Sequence, residues 1–444
     1  MTNFYRVSTA NMYDSTLRNL AARQKQLVDL QENLTSGKRV VRPSDDPVAA
    51  AQAERALTRI SRIQTEQRQL EVQRDSIALG ESALGDAIGV IQEMRQLVVA
   101  AGNGSLKAED RKTYANQLQS LREQFTEVIN RKDTNGAPLL GALGSALQAF
   151  AGPLLAGGAD YQFDGLPGQG ASQGNTITTT LDGHAALMFD PRRDGVYAAT
   201  LSNAAATPLA GRHLSTGTID VANKSQIALD ANGNAFGYSV SFGTPTVHAD
   251  GSYDIDYQVT RSDGTPMGGT QTVTGLKPDE LSNIAVSFTD PDPGGAVFSL
   301  NIEAKPGKNA DGSTAPSPAD GDTVQIAASP SLMSTLDAAI AGIAGAADSA
   351  AANQVVGQAL ANIDKGLERL HNMRGFAGEL LNRADRVGDD QGKRAIQLEA
   401  DRSRAEDLDM VQGISDFQNA NVGYQAALQS YAQVQRLSLF NFIN

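Results

Sequence analysis

The chain has 444 residues, a net charge of −13, no cysteine and no tryptophan. That length allows about two to four domains. Disulfides, thiolate nucleophiles and cysteine-ligated metals are excluded, and no run approaches the roughly 18 apolar residues of a membrane span.

Residues 1–140 carry 19 Lys and Arg against 17 Asp and Glu, a net of +2. Their opening, "MTNFYRVSTANMYDS", lacks an apolar stretch and a small-residue cleavage site. No cleavable secretory signal is therefore expected, although export routes that leave no such mark stay open. Leu17, Leu20, Leu27 and Leu34 fall on a heptad seam, with Gln24 and Gln31 at the intervening positions. This spacing predicts a helix over about residues 10–36.

The stretch "SGKRVVRPSDDP", residues 36–47, interrupts the helical pattern. It does not fit a phosphate loop, because Glu32 stands where the first glycine belongs, Arg39 replaces the hydroxyl residue, and a helix precedes it. Lys38, Arg39 and Arg42 lack the interleaved aromatics of a nucleic-acid patch and have Asp45 and Asp46 beside them. A joint accounts for more of the letters. Gly37 suits the left-handed position after a helix end, and Arg42, preceding Pro43, is pushed to extended geometry. Asp46 can cap the next helix, with Pro47 at its first position. Both aspartates favour the positive helix N-terminus. The charges of Lys38, Arg39, Arg42, Asp45 and Asp46 are candidates for pairing between subunits.

A longer helix follows, predicted over residues 47–101. Ile63, Leu70, Ile77, Leu84, Ile91 and Val98 recur at every seventh position, a narrow seam that buries one stripe against partner helices. At ~1.5 Å per residue it would be about 80 Å long, a rod rather than part of a compact domain. "GNGS" ends it, and a third helix is expected from near Lys107 to Lys132, with Tyr114, Leu118, Leu121, Phe125, Val128 and Ile129 on its apolar face. "DTNG", residues 133–136, is a turn signal.

The middle changes character. Fourteen of the 16 prolines lie between Pro138 and Pro330, and residues 141–330 carry 8 Lys and Arg against 19 Asp and Glu, a net of −11. Proline breaks helix interiors, and alternation at Tyr238, Val240, Phe242, Ile255, Tyr257 and Val259 with Asp-Gly turns predicts strands. Asp254 and Asp256 share one strand face; they could hold a cation, but a solvated face is the plainer reading. The four histidines (His184, His213, His248, His371) are scattered without metal-ligand spacing. With the acidity concentrated here, a polyanion-binding role is disfavoured.

No proline lies beyond Pro330, and residues 331–444 carry a net of −4. Leu360, Ile363, Leu367, Leu370, Leu381 and Ala384 form another stripe. Residues 408–437 place Leu408, Val411, Ile414, Phe417, Val422, Leu428, Tyr431 and Val434 on a last helical pattern, and the chain closes on "LSLFNFIN". Each large apolar side chain buried there is worth ~1.5–3 kcal/mol. Termini are usually polar and frayed, so an end waiting for a partner is favoured over one folded back into a core. The plan is α+β: long N- and C-terminal helices packed as a coiled-coil-like rod, with an inserted β-rich domain. No G-x-S-x-G, no dinucleotide fingerprint after a strand and no H-E-x-x-H is present. No catalytic residue, metal or cofactor is expected.

These residues carry a resemblance. "MYDSTLRNLAARQKQLVDLQENLTSGKRVVRPSDDPVAAAQAE" resembles the N-terminal region of the flagellin superfamily, and within it "SGKRV-x-x-P-x-DDP" looks like the flagellar hook-associated protein 3 family, the hook–filament junction proteins. "IQEMRQLVVAAGNGS", "EDRKTYANQLQSL" and "DTNGAPLL" look like the following segments, and "GDTVQIAASPSLMSTLDAAI" like the return from the β domain. "GISDFQNANVGYQAALQSYAQVQRLSLFNFIN" is similar to the family's ending. The likeness covers about residues 1–140 and 320–444. Where the family often shows a Tyr-Leu-Phe-x-Gly run, this chain reads "GALGSALQAFAGPLLAGGADYQF", which implies an enlarged or differently wound outer domain.

The resemblance implies a structural adaptor of the bacterial flagellum, exported to the cell exterior and not an enzyme. Its partners would be further copies of itself in a ring, the other junction protein on the hook side and flagellin on the filament side. An export chaperone would hold the C-terminal helix; no nucleic acid and no membrane insertion are implied. The inter-subunit seam would be Leu17, Leu20, Leu27, Leu34, Leu408, Val411, Ile414, Phe417, Leu428, Leu439 and Phe440, with the charged loop bridging neighbours. Residues 1–40 and 408–444 would form an inner assembly domain, 41–140 and 331–407 a helical rod domain, and 141–330 the β-rich outer domain. A filament-forming flagellin is the alternative, and a ligand-binding or enzymatic module in the β domain a second.

Overall fold

The computed structural model describes residues 4–142, 147–153, 161–165, 180–202, 212–277, 280–292, 294–308, 314–346 and 349–443. Three helices open the chain: α1 (Phe4–Ser36), α2 (Pro47–Ala101) and α3 (Ala108–Ile129). Two short ones, α4 (Gly183–Leu187) and α5 (Pro191–Asp194), lie within the strand-rich middle. The chain closes with α6 (Leu332–Gly345), α7 (Ser349–Glu406) and α8 (Met410–Ile443). This is the expected α+β order of long terminal helices around an inserted β-rich region. Two compact units are formed, residues 1–71 with 385–444, and residues 72–384.

In the first unit α1 packs along α8. The start of α2 meets the end of α7 through a small core of Val40, Ala49, Ala53 and Ala405. Ile63 and Leu70 are half-buried.

In the second unit the same heptad row is fully buried at Ile77, Leu84, Ile91 and Val98. The facing stripe of α7 is Ile363, Leu370, Met373, Ala377, Leu380 and Ala384. Leu360, Leu367 and Leu381 are half-buried at its edge. Two ion pairs tie α2 to α7 above this core: Arg95 to Asp364 at 2.7 Å and Arg374 to Glu81 at 2.6 Å. The third helix ends three residues before the expected Lys132 and packs on α6, where Arg122 grips Asp337 with two hydrogen bonds of 2.8 and 3.2 Å. Burial pushes the Asp337 carboxyl above its ordinary range, against the opposing pull of Arg122.

The strands of this unit are antiparallel throughout. β1 (Phe150–Ala151) and β2 (Gln162–Phe163) form a short ribbon. β3 (Tyr197–Ser202), β4 (His213–Thr216), β5 (Asp220–Ala222), β6 (Tyr238–Phe242), β7 (Thr246–Val247), β8 (Tyr253–Arg261), β9 (Gln271–Leu276), β10 (Ser282–Asp290) and β11 (Ala296–Lys305) follow. After a second short ribbon of β12 (Gly307–Lys308) and β13 (Thr314–Ala315), β14 (Thr323–Ala328) closes the set. One sheet runs β3-β14-β6-β8-β7, with β9 also on β8; the other runs β10-β11-β4, with β5 also on β11. Strand β8 buries Tyr253, Ile255, Tyr257 and Val259 by simple alternation. One core joins the two sheets, with Tyr238 and Val324 contributed by the first and Phe288 and Phe298 by the second. The rings of Phe288 and Phe298 stack at 5.0 Å.

Buried charges in this core are paired, as desolvation requires. Arg212 meets Asp322 at 2.9 Å, and Arg261 meets Asp290 at 3.1 Å. Asp290 also accepts the Tyr238 hydroxyl at 2.6 Å. Asp254 accepts the Gly275 N–H at 2.8 Å and faces His248 at 3.0 Å, and Asp256 accepts the Thr272 hydroxyl at 2.6 Å. Both carboxylates are thus engaged by their own sheet, and among the described residues no group of acids and histidines is arranged to hold a metal ion.

Candidate assembly surface

The joint between α1 and α2 is built as its letters dictate. Gly37 takes a left-handed φ of 71°, and α2 begins at Pro47. Asp46 accepts the N–H groups of Val48 and Ala49 at 3.1 and 3.0 Å. The Ala49 N–H first, then the Val48 N–H and the Arg39 guanidinium, hold the Asp46 carboxyl below its ordinary value near 3.8. Asp45 accepts the Arg42 N–H at 2.8 Å, and Arg42 reaches back to Glu32 at 2.8 Å.

A second joint, between α7 and α8, lies against the first. The Arg39 N–H donates to the Glu406 carbonyl at 2.7 Å, and the Leu408 N–H donates to the Gly37 carbonyl at 2.9 Å. Lys38 pairs with the Glu406 carboxylate, and the Arg39 guanidinium donates to the Ala405 carbonyl at 2.8 Å. All five charged residues of the loop therefore have partners inside the chain. The link from Lys38 to Glu406 spans 368 positions, and no local spacing in the sequence announces it.

Of the expected seam, Leu20, Leu27, Leu34, Leu408 and Phe417 are half-buried between α1 and α8, while Leu17, Val411, Ile414 and Leu428 are exposed. Leu439 and Phe440 lie in the last turns of α8, and their side chains fall outside the described ones. Two glycines of α8 mark close approaches: a Cβ at Gly423 would sit 2.6 Å from Arg23 Nη1 of α1, and Gly413 is the other. A Cβ there would sit 2.8 Å from Leu408 Cδ2 and 3.3 Å from Leu34 Cδ2. Further along, the rings of Tyr13 and Tyr431 lie 5.7 Å apart and their hydroxyls are hydrogen-bonded at 2.8 Å. That bond pushes the Tyr431 hydroxyl above its usual range.

The pair thus buries only one side of each helix. Val411 is 81% exposed, Val422 67% and Val28 55%. Val28 and Tyr13 were not among the seam residues read from the sequence. Tyr13 stands four positions before Leu17 and so shares its helix face, a signal that was available. Val28 follows Leu27 directly and falls off the heptad, so periodicity passes over it.

A profile of the bacterial flagellin N-terminal helical region matches residues 7–143. Flagellar hook-associated protein 3 of Salmonella typhimurium is 36% identical over 135 residues, 30% of this chain and 41% of that protein. The Escherichia coli protein of the same name is 29% identical over 212 residues, 46% of this chain and 60% of that protein. The chain spans about half the length of these curated relatives in the matches. In fold it is similar to the crystal structure of the flagellar junction protein FlgL from Legionella pneumophila, with a TM-score of 0.53 and 21% identity over 80% of this chain and 100% of that one. The resemblance read from the N-terminal segments is borne out by the profile match, the likeness to hook-associated protein 3 by these relatives, and the long-helix framework by the solved fold.

Proposed function

We propose that this chain, flagellin-like in its N-terminal helices and junction-protein-like in fold, is a structural axial component of the bacterial flagellum. It joins the hook-side junction to the flagellin filament by helix-mediated self-assembly. The observation that carries this reading is the α1–α8 pair, which leaves Val28, Val411, Ile414, Val422 and Leu428 in water. Burial of such side chains is worth ~1.5–3 kcal/mol each, and a row of them marks a surface that other protein covers. The coverer is a neighbouring copy in a ring, with the other junction protein below and flagellin above.

On this reading residues 1–40 and 408–444 form the inner assembly domain, 41–140 and 331–407 the helical domain, and 141–330 the β-rich outer domain. The chain works outside the cell, delivered by an export chaperone on its C-terminal helix. Among the described residues no helix is long and apolar enough to cross a membrane. The role has no catalytic step and calls for no cofactor.

Deleting residues 408–444 tests it. Hooks without attached filaments are expected by electron microscopy, and normally attached filaments would sink the proposal. The flagellin match over residues 7–143 keeps a second reading, a filament-forming flagellin. Purified full-length protein that polymerises alone into long filaments would favour that reading; closed or short assemblies favour the adaptor.

A further inference from the structure

We infer that the first four turns of α2 carry a head-to-tail contact between copies of this chain, one side of the helix docking on the opposite side of its neighbour's. The inference rests on the self-assembly proposed above and names the surfaces that perform part of it.

On one side, a groove of about 550 Å³ runs between the start of α2 and the end of α7. Val48, Ala56 and Leu398 line it with Gln52, Asp46 and Asp401, and Arg39, Arg55, Arg59 and Arg404 surround it. Arg39 is paired with Asp46 and Arg404 with Asp401. Arg55 and Arg59, one turn apart, are exposed and make no ion pair with a described residue. Val48 on the same side is 68% exposed.

On the other side, a groove of about 540 Å³ lies between α2 and residues 40–43, lined by Val41, Pro43, Ala50, Leu57 and Glu54. Glu54 is exposed and has no cation among the described residues. Asp45, just before the helix, is also exposed and, among the described residues, accepts hydrogen bonds from the Arg42 N–H and the Ser44 hydroxyl of its own loop and pairs with no cation. Leu57 is 39% exposed. At 3.6 residues per turn, positions 48, 52, 55 and 59 lie opposite 50, 54 and 57. Buried Ala49 and Ala53 hold the helix between them.

Residues 45–59 therefore offer a largely polar groove with Arg55 and Arg59, unpaired among the described residues, on one side, and an apolar groove with Glu54 on the other, where Asp45 just before the helix adds a second carboxylate without a cation partner among the described residues. A second copy is the occupant that satisfies both at once. Docked head to tail, each copy's Arg55 and Arg59 meet the next copy's Glu54 and Asp45, and a closing ring leaves neither side bare. A two-fold contact would set arginine against arginine, which is repulsive. A bound small anion would fill only one groove.

The absence of cysteine makes an introduced thiol pair a clean reporter. Full-length chain carrying Glu54→Cys and Arg59→Cys together is expressed in flagellated cells lacking the parent chain and treated with a short bismaleimide cross-linker. A ladder of dimers, trimers and higher species is expected, with monomer only from either single-cysteine chain. A ladder from one single-cysteine chain, or none from the double one in cells that bear filaments, overturns the contact. Arg55→Glu with Arg59→Glu, in a chain with the same thiols moved to positions 51 and 52, should lower ladder yield about tenfold, since like-charge juxtaposition costs several kcal/mol. Adding Asp45→Arg and Glu54→Arg to that chain should restore it, and unchanged yield on reversal also overturns the inference. Filaments that form without a ladder sink this contact alone, whereas filaments that attach without α8 sink the adaptor function.

Discussion

Asp46 shows how one side chain fixes a boundary. Its carboxylate accepts two N–H groups at the start of α2 that the helix itself leaves without acceptors. Because its folded pKa is held below the ordinary value, the stabilisation is present above pH ~4 and is lost as pH falls through the lower folded value. Asp46→Ala should therefore melt at a lower temperature than the parent at pH 7. The gap, followed by circular dichroism, should shrink as pH drops below about 4; a gap that stays constant would contradict the capping role. Gly37, Asp46 and Pro47 were legible in the sequence because turn and cap chemistry is local. The partners of Lys38 and Arg39 at residues 405–406 were not, because an antiparallel crossing of two distant joints has no signature in either joint.

At the level of elements, periodicity revealed what repeats and nothing else. The row from Ile77 to Val98 is buried as its spacing required, since a seven-residue repeat can only mean one helix face. The α7 stripe was placed less well. Its Ala and Met positions supply much of the buried face, and small residues give a weak hydropathy signal. Strand alternation in β6 and β8 was also readable, but the insertion of β14 between β3 and β6 joins residues 82 to 131 positions apart and leaves no local trace. Gly413 is one of two close approaches along the α1–α8 pair, set against Leu408 and Leu34. A Gly413→Val substitution should drive Leu408 and Leu34 off their seats and separate the two helices. Limited proteolysis should then cut residues 410–435 faster than in the parent, while the melting of residues 72–384 is unchanged. Gly413→Ala should do less, because a methyl group displaces only the flexible end of Leu408.

For the whole molecule, the two units should differ in local stability. The first has a four-residue core and a helix pair buried on one side, and the second has a continuous helical core and a sandwich. In isolated chains, amides of residues 11–36 and 410–435 should exchange with solvent far faster than those of residues 77–98. Strong protection of the terminal helices in the monomer would show that they need no neighbour. The division of the chain into helical ends and a β-rich middle was legible because proline and acidic charge are confined to the middle. Which faces of α1 and α8 stay bare was not, since an apolar stripe reads the same whether its partner is in the same chain or in another.

The pairing of the two joints, residues 37–40 with 405–408, has a consequence for how the molecule comes into being. The first unit takes its helices from the beginning and the end of the chain, whereas the second is contiguous. On a ribosome adding about 5–20 residues per second, α1 emerges tens of seconds before α8 exists. The second unit has its whole sequence in that interval, and the first cannot close until the last. A chain terminated before α8 would lack the paired joints and the α1–α8 surface together, so only copies that carry α8 would be competent to join their neighbours.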